Sequence, residues 1–343
     1  MNMKKLILLF ITFSVFCALF SAQEVLETDE QTNQSSEINN SEDPAQEKPF
    51  QNHVLSALGF QAIQTAEKDF IFTPSVNLQY MRIKSEGVES KQPDAIVIGA
   101  GYSQNIFTAP LGKDKVQNLH GINLMGNLAI GKNSFMAMVA SSGEVPFSNI
   151  RTVTGMVMYT RQLLDTENFS FLLGGGIVVA DLGLKIGDFE LFVIPLPVFN
   201  FSYTNDYFYG AISMMGLPEI SIVLLPKSMY RLNGKLGMAG FSSVRDITFD
   251  CALAYYPLYN SENEGIKELL CISAGIMNQA SAFKLKDNKS YGYQCYSVYG
   301  EVNASFVSVR CGYNFDGKML VDNEIKKDMY KGMFATVQGM MMF

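Results

Sequence analysis

From about residue 68 to its last residue, the chain alternates between apolar and polar or small residues, one for one, in stretch after stretch. Side chains return to the same face every second residue only in an extended strand, so this spelling commits the chain to sheet. "TPSVNLQYMRI" (73–83) sets Val76, Leu78 and Tyr80 against Thr73, Ser75, Asn77 and Gln79. "LHGINLMGNLAIG" (119–131) sets Ile122, Leu124, Leu128 and Ile130 against Gly121, Asn123 and Asn127. "NFSFLLGGGIVVA" (168–180), "YRLNGKLGM" (230–238), "DITFDCALAYY" (246–256) and "YSVYGEVNASF" (296–306) repeat the pattern. The segments are roughly 9–14 residues long, whereas globular strands centre on about 5–6 and membrane-crossing strands need about 9–11.

Length and period together predict an all-β, transmembrane, up-and-down antiparallel β-barrel, apolar outside and polar within. Closure leaves no unpaired backbone in lipid. Composition agrees, because only 17% of residues are charged, where about a quarter is usual in a soluble domain. No apolar run of ~18 residues follows the first 22 residues, which excludes spanning helices from that part. The alternation is weakest in 134–142, 151–163 and 206–225. The expected strand number is about 14, with 12 as the alternative, since such barrels favour even numbers. Below about 16 strands, side chains largely fill the lumen.

The organisation follows. Residues 1–22 read as a signal peptide, with Lys4 and Lys5 ahead of an apolar run from Leu6 to Phe20 and a small Ser21-Ala22 pair. Residues 23–50 read as a disordered acidic linker, because eight acids and one lysine crowd into 23–48. Residues 51–67 are expected as a short N-terminal helix or plug, although Val54, Leu55, Leu58 and Ile63 also fit the start of a strand. Residues 68–343 are the barrel. "GKN" (131–133), "DTEN" (165–168), "TND" (204–206) and "GFSS" (240–243) read as short turns. The stretches 143–150, 182–190, 257–266, 279–291 and 316–331 read as outer loops. No basic cluster offers a nucleic-acid surface.

Candidate lumen residues come from the polar faces: Arg231, Lys235, Asp246, Asp250, Glu301 and Arg310. In the hairpin joining 230–238 to 244–256, an odd register keeps the polar faces together. Either Lys235 faces Asp246 and Arg231 faces Asp250, or Lys235 faces Asp250. Both pair bases with acids across strands. Pro195 and Pro197 stand two apart, so both missing N–H groups face the same neighbour. Either the strand has left the membrane there, or the wall is broken by a kink or lateral opening, or the segment makes a plug-like excursion. The Gly174-Gly175-Gly176 run reads as close packing beside a neighbouring aromatic.

Chemistry is sparse. Only His53 and His120 are available to activate a serine, and neither has a local Ser partner, so no enzyme activity is expected. There is no metal or nucleotide motif, and no cofactor is expected. Cys251, Cys271, Cys295 and Cys311 match no zinc spacing and read as small apolar side chains.

The chain closes on "ATVQGMMMF" (335–343), an alternating strand ending in Phe343. The signal, the long alternating strands and this terminal aromatic resemble bacterial outer-membrane β-barrel proteins. Residues 191–240, with their Pro-rich strand, aromatic strand, "LP" and "YRL", resemble a stretch of uncharacterised spirochaete and Bacteroidetes outer-membrane barrels. The resemblance implies a bacterial outer-membrane location and contact with outer-membrane lipid. It also implies recognition of Phe343 by the barrel assembly machinery. The expected function is a passive pore or uptake channel for an unidentified small solute. The alternative is a non-transporting structural or host-contact barrel with binding outer loops. The final strand is expected to close the barrel against a first strand near 68–83.

Overall fold

The computed structural model of the chain describes residues 50–84, 94–111, 116–148, 152–180, 185–186, 189–190, 193–238, 247–260, 267–284, 290–321, 324–329 and 331–343. The proposed signal, nearly all of the acidic linker and Asp246 lie outside the described residues. The strands are β1 (Phe50–Gln64), β2 (Phe70–Lys84), β3 (Ala95–Leu111), β4 (Val116–Ile130), β5 (Asn133–Gly143), β6 (Val153–Asp165), β7 (Phe169–Val179), β8 (Lys185–Ile186), β9 (Phe189–Glu190) and β10 (Val193–Thr204). They continue as β11 (Phe208–Met214), β12 (Pro218–Leu224), β13 (Tyr230–Met238), β14 (Ile247–Tyr255), β15 (Leu270–Lys284), β16 (Ser290–Ala304), β17 (Val307–Val321), β18 (Glu324–Met329) and β19 (Gly332–Met342).

All but β8 and β9 join one 17-stranded sheet, in which successive strands from β1 to β18 pair antiparallel, β7 pairing with β10 past β8 and β9. β18 and β19 pair in succession with β17 and share one place in the ring. The result is a closed 16-strand barrel. Closure is made by β1 and β19, in register from Leu55↔Met342 to Ile63↔Phe334. Phe343 extends that ladder, exchanging backbone hydrogen bonds with Val54 at 2.8 and 2.9 Å. We call the end carrying Phe50 and Phe343 proximal and the other distal.

Several expectations change. Residues 50–64 are strand, not helix or plug, and they replace 68–83 as the closing partner of the last strand. Their alternation is blurred because Leu55 and Ile63 point inward beside Gln61, and Ile63 is fully buried in the lumen. Residues 206–225 hold two strands of seven residues, β11 and β12. The barrel therefore has two more strands than the expected 14. The extra reversal also places residues 257–260 at the proximal end, beside the short turns, while 240–243 and 261–266 lie outside the described residues. The stretches 279–291 and 316–331 are largely paired strand, not loop.

The outer face is that of a membrane-spanning barrel. Leu78, Ile98, Leu124, Val157, Ile177, Ile222, Leu232, Leu253, Ile276 and Val298 all stand exposed on it. Aromatic side chains cluster towards the proximal end: Phe135 with Tyr159 (4.9 Å), Phe169 with Tyr203 (4.7 Å) and Tyr230 with Tyr255 (5.1 Å). A second group lies towards the distal end, where Tyr296 stacks with Phe315 and Tyr102 with His120. Such rings sit at membrane–water boundaries.

The lumen is not an open tube. At the distal rim β5 meets β15 from the opposite wall, in a parallel bridge between Gly143 and Lys284. The two strands are diametrically placed, so the bridge pinches the ring into two lobes. One lobe is filled by Ile63, Ile71, Phe107, Leu119, Tyr293 and Phe334, which form one buried cluster with Met277 and Tyr299. The other holds Met156, Met158 and Val198, packed by Met136, Met138 and Val178. An aliphatic groove of about 940 Å³ hollows the wall across β2–β7.

Candidate functional site

Below the apolar cluster lies a polar chamber of about 420 Å³, lined by Gln61, Gln279, Ser281, Glu301, Ser308, Arg310 and Thr336 among others. Strand geometry assembles it. Glu301 and Arg310 are direct cross-strand partners on β16 and β17, and both point inward. The Arg310 guanidinium donates to Glu301 Oε2 through Nε (3.1 Å) and Nη2 (2.7 Å). Its Nη1 lies 3.6 Å from Asp250 Oδ2 on β14. The Arg310 Cζ sits 4.4 Å from the centroid of the Tyr299 ring, and the Tyr299 hydroxyl donates to Asp250. Ser308 Oγ donates to the other Glu301 oxygen at 2.7 Å.

One guanidinium is thus held by two carboxylates and an aromatic face, with one acid in excess. The Arg310, Glu301 and Asp250 side chains are 28%, 17% and 31% exposed, so the cluster is partly wet and faces the chamber. Across the chamber, Gln61 Nε2 donates to Gln279 Oε1 at 3.3 Å. The buried Gln279 Nε2 has no hydrogen-bond partner. Among the described residues, no group of three or more His, Cys, Asp or Glu is placed to hold a metal.

The six lumen candidates do not form one ring. Asp250, Glu301 and Arg310 come together. Lys235 faces Asp250 in the ladder, which selects the second of the two expected registers. Its ammonium nevertheless lies 2.8 Å from Glu219 on β12. Arg231 sits at the proximal end, 2.7 Å from Glu268 and 4.0 Å over the Tyr256 ring. Burial, and then the neighbouring Cys271, pushes the Tyr256 phenol up to about 12. Sequence reasoning missed Glu219, Tyr299 and the chamber glutamines. Glu219 lies in a seven-residue strand too short to show its period, and Gln61 lies in the stretch expected as helix.

The remaining candidates are placed as follows. Pro195 and Pro197 face outward on β10, and the ladder to β7 runs unbroken past both, through Pro195↔Ile177 and Pro197↔Gly175. The ladder from β10 to β11 stops at Phe199↔Met214. Gly174 packs against backbone and not against an aromatic ring: a Cβ there would lie 1.9 Å from the Tyr159 carbonyl oxygen. His120 Nδ1 lies 2.9 Å from the Tyr102 hydroxyl on the outer face. All four described cysteines are free. Cys251 and Cys311 are exposed on the outer face and Cys295 is buried.

No protein-family model matches the chain, and no curated protein matches it in sequence. Among solved structures, OccAB4 of Acinetobacter baumannii is similar at 8% identity and a TM-score of 0.36, over 88% of this chain and 100% of that one. OpdK of Pseudomonas aeruginosa, solved with vanillate, is similar at 6% identity and a TM-score of 0.39, over 86% and 99%. A BenF-like porin from Pseudomonas fluorescens Pf-5 is similar at 9% identity and a TM-score of 0.35, again over 86% and 99%. At these scores the barrel rests on its own ladder register and not on the likenesses.

Proposed function

We propose that the chain is a bacterial outer-membrane β-barrel acting as a passive pore or uptake channel for a small polar solute. The observation that carries this reading is the chamber around Arg310. Polar and charged groups from strands far apart in sequence converge there inside an otherwise apolar-coated barrel. The excess acid favours cations in the chamber, as charged side chains lining a pore do. In this reading Phe343 is the mark taken up by the barrel assembly machinery, and outer-membrane lipid coats the aliphatic belt. The likeness of residues 191–240 to spirochaete and Bacteroidetes barrels belongs to the same proposal.

A second reading has its own observation. The apolar cluster that fills one distal lobe suits a non-transporting structural or host-contact barrel that works through its loops. Single-channel recording of the refolded chain in a planar bilayer separates the two. The pore reading expects small, cation-preferring steps. Silence in protein whose gel mobility shifts on boiling sinks the pore and leaves the binding barrel.

A further inference from the structure

The groove across β2–β7 lies on the outer face. β5 bends inward at its distal end to meet β15 at Gly143 and Lys284, and the outer surface dips around it. One lateral row shows the dip. Ile98, Gly126, Ala137, Val157 and Ile177 are successive cross-strand partners from β3 to β7. Ile98 and Val157 stand 58% and 63% exposed. Between them, a Cβ on Gly126 would meet no atom within 4 Å. Gly155, two residues from Val157 on β6, is nearly as open, since the nearest atoms to a Cβ there lie at 3.9 Å. All six residues border the groove of about 940 Å³. Atoms beside a void lose their dispersion contacts on that side, so in a membrane hydrocarbon fills this hollow.

The residues just proximal to the groove select the hydrocarbon. Tyr159 and Arg161 follow Val157 on the same face of β6. Tyr159 packs on Phe135, with ring centroids 4.9 Å apart, in the proximal aromatic group, and such rings mark the membrane–water boundary. Two residues further on, at ~3.3 Å each and a tilt of about 40°, Arg161 stands roughly 5 Å beyond that boundary. The headgroup layer is about 5–8 Å thick on each side of a bilayer, so Arg161 is rooted at headgroup depth.

Lys132 is held beside it. Gly131 and Lys132 form the turn between Ile130 and Asn133, which pair with each other, and Asn133 is the cross-strand partner of Arg161. The Gln162 N–H donates to the Lys132 carbonyl at 2.8 Å. Gly131, at φ +53°, donates its N–H to Asp94 Oδ1 at 2.7 Å, so that carboxylate is engaged with the turn backbone. Asp165, the acid of β6, is four residues beyond Arg161. Among the described residues, neither Lys132 nor Arg161 forms an ion pair with a carboxylate.

We propose that the groove and this basic pair together bind an anionic diacyl phospholipid of the proximal leaflet. The phosphate lies between the two side chains, taking paired hydrogen bonds from the Arg161 guanidinium and a point charge from the Lys132 ammonium. The acyl chains cross the Phe135 and Tyr159 rings and fill the hollow at Gly126 and Ala137. The groove alone would accept any acyl chain, and the charges choose the head. Each basic side chain near a membrane surface favours an anionic head by about fivefold. This inference rests on the barrel spanning a membrane, and it places a ligand outside the wall in addition to the solute within.

The chain has no tryptophan, so a single introduced one reports alone. Leu128→Trp sets it between the groove and Arg161, as the cross-strand partner of Phe135. Leu253→Trp on β14 sets a control on the opposite wall. In phosphatidylcholine nanodiscs, brominated phosphatidylglycerol at low mole fraction should quench the Leu128→Trp protein saturably. The effect should be at least fivefold stronger than with brominated phosphatidylcholine of the same chains. The two lipids should quench the Leu253→Trp protein equally. Adding Lys132→Gln and Arg161→Gln to Leu128→Trp should bring the lipids within twofold of each other. Adding Gly126→Leu instead, which fits the open space, should weaken phosphatidylglycerol binding at least threefold with both charges intact. Equal quenching by the two lipids at Leu128→Trp overturns the proposal, as does a preference for phosphatidylglycerol that survives loss of both charges. A dimer in detergent that Gly126→Leu dissociates gives the groove to a second copy of the chain and also overturns it. A boiling-dependent gel shift confirms that each variant is folded. Conductance is recorded separately, so the pore reading and the lipid site fail independently.

Discussion

Replacing Arg310 with glutamine tests the chamber most directly. The side chain is the cation of a cluster whose other charges are Glu301 and Asp250. Removing it takes the local balance from one excess negative charge to two. A monovalent ion passing roughly 6 Å away in water-like surroundings feels that change as about 0.7 kcal/mol. The sign is favourable for a cation and unfavourable for an anion, so the difference between them is about 1.4 kcal/mol. That is a tenfold rise in the cation-to-anion permeability ratio. The assay is the reversal potential under a salt gradient across a planar bilayer, at low ionic strength so that screening does not hide the effect. Glu301→Gln should move the potential the other way. The variant also carries a stability cost, because two carboxylates lose their shared partner. A fully buried unpaired charge costs about 3–5 kcal/mol, and the partial exposure of this cluster lowers that to about 1–2 kcal/mol. An unchanged reversal potential in Arg310→Gln protein that still shifts on boiling refutes the reasoning.

Other outcomes follow from packing and closure. Phe334→Ala should destabilise the barrel by about 3–5 kcal/mol in urea unfolding, because the ring is buried in the distal cluster. The same variant should enlarge single-channel steps if the cluster is the constriction. Gly174→Val should abolish the folded, faster-migrating band, since its Cβ would strike the Tyr159 carbonyl, whereas Gly175→Val points into open space and should fold normally. Deleting Phe343 removes two backbone hydrogen bonds to Val54 and should cost about 1–3 kcal/mol in refolded protein. In cells the deletion should lower membrane insertion while leaving export intact, and normal insertion would remove the assembly role.

The places where alternation weakens carry information of their own. Residues 134–142 and 151–163 lose their period because Met136, Met138, Met156 and Met158 put apolar side chains on the lumen face as well. Residues 51–67 lose it for the same reason at Leu55 and Ile63. The blurred period was a record of a filled lumen, but it reads equally well as a helix or a poor strand until the opposite wall is known.

Strand period, the outward apolar face and the choice of two registers for the β13–β14 hairpin belong to the sequence alone, because each depends on neighbours one or two residues apart or across one short turn. Tertiary structure decided the number of strands, the two seven-residue strands β11 and β12, the pinch between Gly143 and Lys284 and the partners of the lumen charges. Lys235 faces Asp250 along the ladder yet bonds Glu219, and Asp250 turns to Arg310, two strands beyond its neighbour β15. Those choices follow from tilt and ring closure, which bring together side chains far apart along the chain and leave no trace in local spacing.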